Sequence, residues 1–543
     1  MVVPELRSWR AARPHVTRVA NAVRPRLAQA ADAVGPRLAR AATAARPRVA
    51  RLARATKPQV ARITRAKTWQ YTAGAATVGL ALAAGVVTAA GPWDSTGQRT
   101  AERDRAAAQE RMGGADHDGS SGTSPGTADR APRPAPSAGS VLAGLGGGAG
   151  SLKSAPTGQA LAGVLDPLLK DTALGTRVTA AVVDVATGRR LYGVGADDAL
   201  TPASTTKIAT AAAALTAMGA DHRLTTRAAL EADTGELVLV GGGDPTLTAH
   251  EDAEGWASLR TLADETAAAL KKRDMREVTL SYDTTLYAGS ELHPIGVNDN
   301  LAPVSALMVD EARTDDSASG PAPRVTDPAA DAARKFAALL EDHGIKTTSP
   351  GPSKATGRAQ SLATVSSPPL SALVERMLTN SDNDIAEALA RQTAVATGER
   401  ADFDGASRAL AAQLSKLEVP LSGTSFQDGS GLDRADRLTA DLLTTLLAKA
   451  GDPAHAELRP ILTGLPVAGF TGTLTSRYAD GAAGIVRAKT GTLTGVNTLA
   501  GTVVDQDGSL LAFAFLTSNT SDPRAAQSAL DKTATALAAC GCR

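Results

Sequence analysis

The sequence predicts an α/β (α+β) protein: an antiparallel sheet flanked by helices, interrupted by a smaller inserted domain. Three observations carry this. A helical run near residue 160 passes directly into a strand pair. A second hairpin, over roughly 485–516, closes on a final helix. Between them, after an Ala-rich helix, residues 223–361 form a long insertion before the next helical runs.

The elements follow in order. Leu161, Val164, Leu165, Leu168 and Leu169 recur at helical spacing. V-T-A-A-V-V-D-V at 178–185, a turn at Ala186-Thr187-Gly188 and R-R-L-Y-G-V-G then read as a hairpin. Thr201 can cap a helix, with Pro202 at its first position and Ala-rich sequence behind it. The insertion holds E-L-V-L-V-G-G-G-D-P-T-L at 236–247, S-Y-D-T-T-L-Y-A-G at 281–289 and a helical stretch near Ala329–Gly344. Gly241–Asp244 and Asp428–Gly431 read as tight turns, and G-G-G-D-P lacks the spacing of a dinucleotide loop. A helix-to-helix turn is expected at Ser381-Asp382-Asn383. The flanks of Lys489 alternate as a strand should, a turn falls at Asp505–Gly508, and the last helix begins at Asp522-Pro523.

Of the 543 residues, 43% are hydrophobic but only 3% aromatic, so an aliphatic core is expected and a base-stacking nucleic-acid surface is disfavoured. The net charge of +1 hides a division. Residues 1–70 hold 16 Lys/Arg against 2 Asp/Glu, a net of +14; the other 41 basic and 54 acidic residues give −13. In the basic tail Pro14, Pro25, Pro36, Pro47 and Pro58 recur every 11 residues. Proline suits the first turn of a helix and breaks one from inside. The units therefore read as short helices with Val16, Leu27, Leu38, Val49 and Val60 on one face. Such a tail suits anionic lipid at the inner leaflet; a tail that merely holds orientation fits equally, and nucleic acid is the less suited partner.

Residues 71–91 carry no charge and, as a helix, would span about 30 Å, the depth of a bilayer core. Arg62, Arg65 and Lys67 precede this stretch and Asp94 follows it. A single-pass transmembrane helix with the N-terminus cytoplasmic and the body outside is expected; secretion after signal cleavage near residue 90 is the alternative. Residues 92–158 read as a disordered linker. The main folded domain is then 159–222 with 362–543. Cys540 and Cys542 exclude a disulfide framework and a thiolate zinc site, leaving oxidation, lipid modification or no role. No histidine pair has metal-ligand spacing, so neither metal nor cofactor is expected.

Three motifs carry chemistry. In Ser204-Thr205-Thr206-Lys207, three residues on a helix bring hydroxyl and amine to one face. A serine nucleophile needs a base, and a lysine of lowered pKa can be one. Ser381-Asp382-Asn383 and Lys489-Thr490-Gly491-Thr492 follow, with Gly491 leaving room for a substrate backbone beside its strand. Singly these also fit a helix start, a cap and an edge strand. Together, in order, S-x-x-K, S-D-N and K-T-G are the signature of penicillin-binding proteins and class A β-lactamases.

With Q-D-G-S-G-L-D-R at 427–434 and L-P-V-A-G-F-T-G-T-L-T-S-R-Y at 465–478, the body resembles the low-molecular-mass class C penicillin-binding proteins, the S13 or DacB-type D-alanyl-D-alanine carboxypeptidase/endopeptidases. The resemblance covers about 160–540. It implies a penicilloyl-serine transferase fold, peptidoglycan stem peptides as substrate and β-lactams as acylating inhibitors. It implies Ser204 as nucleophile, Lys207 as base, backbone N–H groups of Ser204 and Thr492 as oxyanion hole, Ser381 as proton relay and Asn383 on the substrate amide. Lys489, Thr490 and Thr492 would receive the terminal carboxylate. Asp283 and Arg434 match positions that recognise a diaminopimelate end group. A β-lactamase-like hydrolase and a non-catalytic peptidoglycan-binding protein stay open, although no Asn follows a Glu at the E-x-x-L-N spacing that class A enzymes use.

Overall fold

The computed structural model describes residues 156–348, 351–478 and 481–541. The basic tail, the span expected at 71–91 and the linker up to residue 155 lie outside them. Among the described residues no helix is long and apolar enough to cross a membrane.

Helix α1 (Gly158–Leu169) is capped by the Thr157 hydroxyl, which accepts from Ala160 N. Strands β1 (Arg177–Asp184) and β2 (Arg190–Val194) form the expected hairpin. The next helix departs from expectation. Ala203–Thr205 form a 3₁₀ turn, and α2 (Thr206–Met218) starts only after it. Thr201 does not cap; its hydroxyl donates to the Arg434 carbonyl.

The insertion comprises β3 (Thr225–Leu230), β4 (Leu237–Val240), α3 (Leu259–Lys271), β5 (Glu277–Val278), β6 (Leu280–Asp283), α4 (Pro328–Asp342), β7 (Lys346–Thr347), β8 (Gly351–Pro352) and β9 (Gln360–Ser366). Its five-stranded sheet, ordered β8-β6-β4-β3-β9, is mixed: β3 pairs antiparallel with β4 and β9, while β6 runs parallel to β4 and β8. The expected junction at 361/362 falls inside β9. Leu239, Leu259, Leu262, Phe336 and Leu340 fill this lobe's core.

The main lobe resumes with α5 (Leu370–Asn380), α6 (Asn383–Thr397), α7 (Phe403–Lys416), α8 (Ala440–Gly451) and α9 (Arg459–Gly464). It ends with β10 (Arg487–Leu493), β11 (Val496–Val504), β12 (Leu510–Ser518) and α10 (Pro523–Ala538). Its sheet, ordered β10-β11-β12-β1-β2, is antiparallel throughout. Both faces are covered, which is why β1 and β12 read as unbroken apolar runs. Ala181, Val183, Ala512 and Ala514 face a core shared with α2, α5, α6 and α8. Ala180, Val182, Phe513 and Phe515 face α1 and α10. Alanine does much of this packing: Ala209 and Ala211 to Ala214 of α2 are all fully buried. Each buried Leu or Phe adds about 1.5–3 kcal/mol. Cys540, just beyond α10, is buried and disulfide-bonded.

At Gly241–Asp244 the chain makes a bend at a crowded crossing. A Cβ on Gly242 would lie 1.9 Å from the Thr225 carbonyl oxygen. The Gly242 carbonyl accepts from Gln392 Nε2 of α6 at 2.8 Å. The glycine run therefore seats the insertion on the helix that opens with Asn383.

Candidate active site

Ser204 lies on the 3₁₀ turn between a strained residue and a buried helix. Ala203 has φ of 48°, left-handed for a non-glycine residue, a geometry that costs about 1–3 kcal/mol and collects at functional sites. Two hydroxyls pin the turn: Thr205 and Thr498 donate to the Pro202 carbonyl at 2.6 and 2.8 Å. Ser204 itself is half-buried.

Lys207, one turn on, is fully buried. Its Nζ lies 3.2 Å from Ser204 Oγ and donates to Asn383 Oδ1 at 2.6 Å and to the Ser430 carbonyl at 2.8 Å. Burial pushes its pKa down to about 8, against the opposing pull of Asp428 and Glu387. An amine of that pKa is a usable base near neutrality.

Ser381 closes α5 in the left-handed region, with φ 59° and ψ 40°. Asp382 caps α6 by accepting from Ile385 N at 3.0 Å. Burial, then the Glu311 carboxylate, hold Asp382 well above the usual carboxylate range. Glu311 accepts from Arg313 Nε at 2.8 Å and Arg376 Nη2 at 2.6 Å. A buried ionic network thus supports the turn that presents Ser381 and Asn383.

Lys489 on β10 is also fully buried. It donates to Ser381 Oγ at 2.8 Å and to the Thr490 carbonyl at 2.7 Å. Burial, and then the nearby Lys207, push it well below the ordinary lysine range. Thr490 Oγ1 donates to Thr473 Oγ1 at 3.0 Å, and Thr492 is exposed. Gly491 has a different reason from the one expected. A Cβ there would lie 2.1 Å from Thr498 Oγ1 and 2.8 Å from the Pro202 carbonyl oxygen. The glycine lets β10 lie against the 3₁₀ turn that carries Ser204; it is not simply clearance for a ligand.

The three motifs thus meet in one cluster: a hydroxyl on the 3₁₀ turn and an amine on α2, hydroxyl and carboxamide at the α5–α6 turn, and a second amine on a sheet-edge strand. The sequence matches the D-Ala-D-Ala carboxypeptidase 3 (S13) family over residues 161–323 and 315–537. The chain belongs to that family. Carboxypeptidase DacB of Mycolicibacterium smegmatis is 38% identical over 406 residues, covering 71% of this chain and 85% of that protein. The D-alanyl-D-alanine carboxypeptidase of an Actinomadura species is 32% identical over 439 residues, covering 66% and 81%. The crystal structure of penicillin binding protein 4 (dacB) from Haemophilus influenzae shares the fold with a TM-score of 0.57 at 20% identity, over 69% of this chain and 98% of that one.

In this S13 chain the two further residues expected at the site are placed differently from each other. Arg434 is exposed and donates from Nη2 to the Thr494 carbonyl at 2.5 Å, just past the end of β10. Asp283 ends β6 in the insertion and is buried; its two carboxylate oxygens accept from Thr285 N at 2.8 Å and Ala355 N at 2.9 Å. The sequence did not single out Ser430 or Asn300. Both act through backbone carbonyls: Ser430 O on Lys207, and Asn300 O on Asn383 Nδ2 at 2.9 Å. Asp428–Gly431 is the expected turn, with the Asp428 carboxylate accepting from Ser430 N and Gly431 N at 3.1 and 2.6 Å. Its placement against Lys207 is what sequence reading missed. Glu387 supports it, accepting from Ser430 N at 2.8 Å; its position one helical turn after Asn383 was the available signal.

Proposed function

We propose that this chain is a serine-type D-Ala-D-Ala carboxypeptidase that trims peptidoglycan stem peptides through an acyl-enzyme. The observation that carries the proposal is the set of partners around Lys207. When neutral, its Nζ spends both hydrogens on Asn383 Oδ1 and the Ser430 carbonyl. The lone pair is left facing Ser204 Oγ. Ser204 then attacks the carbonyl of the penultimate D-Ala as its proton passes to Lys207. Backbone N–H groups of Ser204 and Thr492 would take the developing oxyanion. Ser381, hydrogen-bonded to Lys489, would relay the proton taken up by Lys207 to the departing D-Ala nitrogen as the C–N bond breaks, so that both side chains end as they began. Water then cleaves the ester, returning the peptide and free Ser204.

Substrate binding follows from β10 lying at the edge of its sheet. An extended peptide can add to such an edge through backbone hydrogen bonds. The terminal carboxylate would meet Thr490, Thr492 and Lys489, supplying the counter-charge that the buried amine lacks. Arg434, exposed beside β10, would read an anionic end group of the stem peptide. Asp283, buried and already accepting one backbone N–H on each oxygen, would join it through its remaining lone pairs. Peptides cross-linked beyond the D-Ala present the same bond, so endopeptidase activity is a second expectation. β-Lactams would acylate Ser204; the Haemophilus influenzae protein of the same fold has been crystallised with one. We further place the body outside the membrane, tethered by an uncleaved span at 71–91 and oriented by the basic tail.

Mass spectrometry of peptidoglycan fragments incubated with the protein tests the reaction. Loss of one D-Ala from pentapeptides is the expected result, with conversion of dimers to monomers marking endopeptidase activity. Ser204→Ala should abolish both, together with covalent labelling by penicillin. Retained release of D-Ala would refute the nucleophile, and rapid multi-turnover cleavage of penicillin would make the chain a β-lactamase instead.

A further inference from the structure

The insertion reaches the residues around Lys207 through a strap, residues 290–302. His293, 2% exposed, sets Nε2 3.0 Å from Asp428 Oδ2. The Asn300 carbonyl accepts from Asn383 Nδ2 at 2.9 Å. Ala302 N donates to Asp384 Oδ1 at 2.9 Å. The second contact ends on Asn383, which holds Lys207; the first ends on Asp428, whose carboxylate shapes the turn carrying the Ser430 carbonyl.

The chemistry of each contact is specific. A carboxamide has an N–H end and a carbonyl end. With Asn300 O taking the N–H end, Asn383 must turn Oδ1 toward Lys207. The Asp428 carboxylate shapes the Gly429–Ser430 turn: Oδ1 accepts from Ser430 N and Gly431 N, Oδ2 from Asp433 N at 2.7 Å. His293, together with the Asp436 side chain, adds side-chain contacts that fix the orientation of this carboxylate. Burial opposes a charged imidazole and Asp428 favours one. The Ile295 N–H, donating to Nδ1 at 3.2 Å, selects the ring that carries its hydrogen on Nε2. The ring is also wedged edge-on against Phe403, centroids 5.2 Å apart.

We propose that the 290–302 strap positions the general base, with His293 as its positioning residue. Through Asp428 it aims the Ser430 carbonyl, and through Asn300 it aims the Asn383 carboxamide, so that the neutral Lys207 lone pair points at Ser204. The proposal rests on Lys207 being the base.

The test uses the full-length chain, with benzylpenicillin acylation and D-Ala release from a D-Ala-D-Ala peptide as readouts. His293→Phe fills the site and keeps the contact with Phe403 but removes the donor. It should slow acylation and kcat by about 10- to 100-fold, as a misplaced catalytic group does, with KM unchanged. His293→Gln, whose side-chain amide can donate to Asp428, should recover most of the rate. Val297→Ser, on the outward side of the strap at 85% exposure, should behave as wild type. Thermal melting checks that each variant is folded. A wild-type rate for His293→Phe overturns the proposal; so does a glutamine variant as slow as the phenylalanine one, which would mark a packing role. If Ser204→Ala itself still releases D-Ala, the functional reading fails instead, whatever His293 does.

Discussion

Lys207 shows how much of this site is decided atom by atom. A lysine in water is protonated at neutral pH and cannot accept a proton. Here burial brings it to about 8, and its hydrogens are directed away from the nucleophile. The base works only when neutral, so the acylation rate should rise with pH and reach half its plateau near 8. A rate flat from about pH 6 to pH 9 would remove Lys207 from that role. The same shift bears on stability, with its sign set by the proton count. Between about 8 and the unfolded value of about 10.5, the unfolded chain holds a proton that the folded one lacks. This group therefore stabilises the fold progressively as pH rises through that window, and costs stability at neutral pH. Urea unfolding at several pH values checks it. Ser204, Lys207, Ser381, Asn383 and Lys489 were legible because their spacing and side chains announce the chemistry. Ser430 and Asn300 were not, because every residue carries a carbonyl and only the fold says where it points.

At the scale of elements, the site is a meeting of ends: the start of α2, the α5–α6 turn and an edge strand. Patterning placed all three. It missed the 3₁₀ turn before α2 and the left-handed Ala203, since alanine carries no sequence signal for that conformation. Gly491 states the tolerance at this junction. Gly491→Ala would drive a methyl into Thr498 and the Pro202 carbonyl. Overpacking of this kind costs about 1–3 kcal/mol, and here the displaced backbone is the nucleophile's own. The variant should therefore lose acylation rate far more than it loses melting temperature. Equal and small losses in both would show that the turn can give way. The charge division within the chain was legible at this scale too, although the tail and the span expected at 71–91 lie outside the described residues.

At the scale of the whole molecule, the insertion was legible as a long interval between motifs, but its junction and its parallel strand pairs were not. Its limits depend on β3 and β9 finding each other, a pairing that no local pattern encodes. Its seat on α6 depends on the glycine crossing. Gly242→Ala should push this bend away from Thr225 within the insertion and off Gln392 of α6, lowering the melting temperature and the activity together, by roughly 1–3 kcal/mol of stability. A variant that melts as wild type does would show that the two lobes tolerate a looser fit.

The order of strands in the catalytic sheet also governs how the enzyme is made. β1 is the first of the described strands to be synthesised, yet its partners in the sheet include β12: Val178 pairs with Thr517. At about 5–20 residues per second, β1 waits on the order of tens of seconds for that partner. The insertion, whose strands lie between Thr225 and Ser366, has all its pairings available long before. Ser204 likewise leaves the ribosome well ahead of Lys489. A nascent chain thus carries the apolar β1 without its β12 partner, and Ser204 without Lys489, until β10 to β12 have been made.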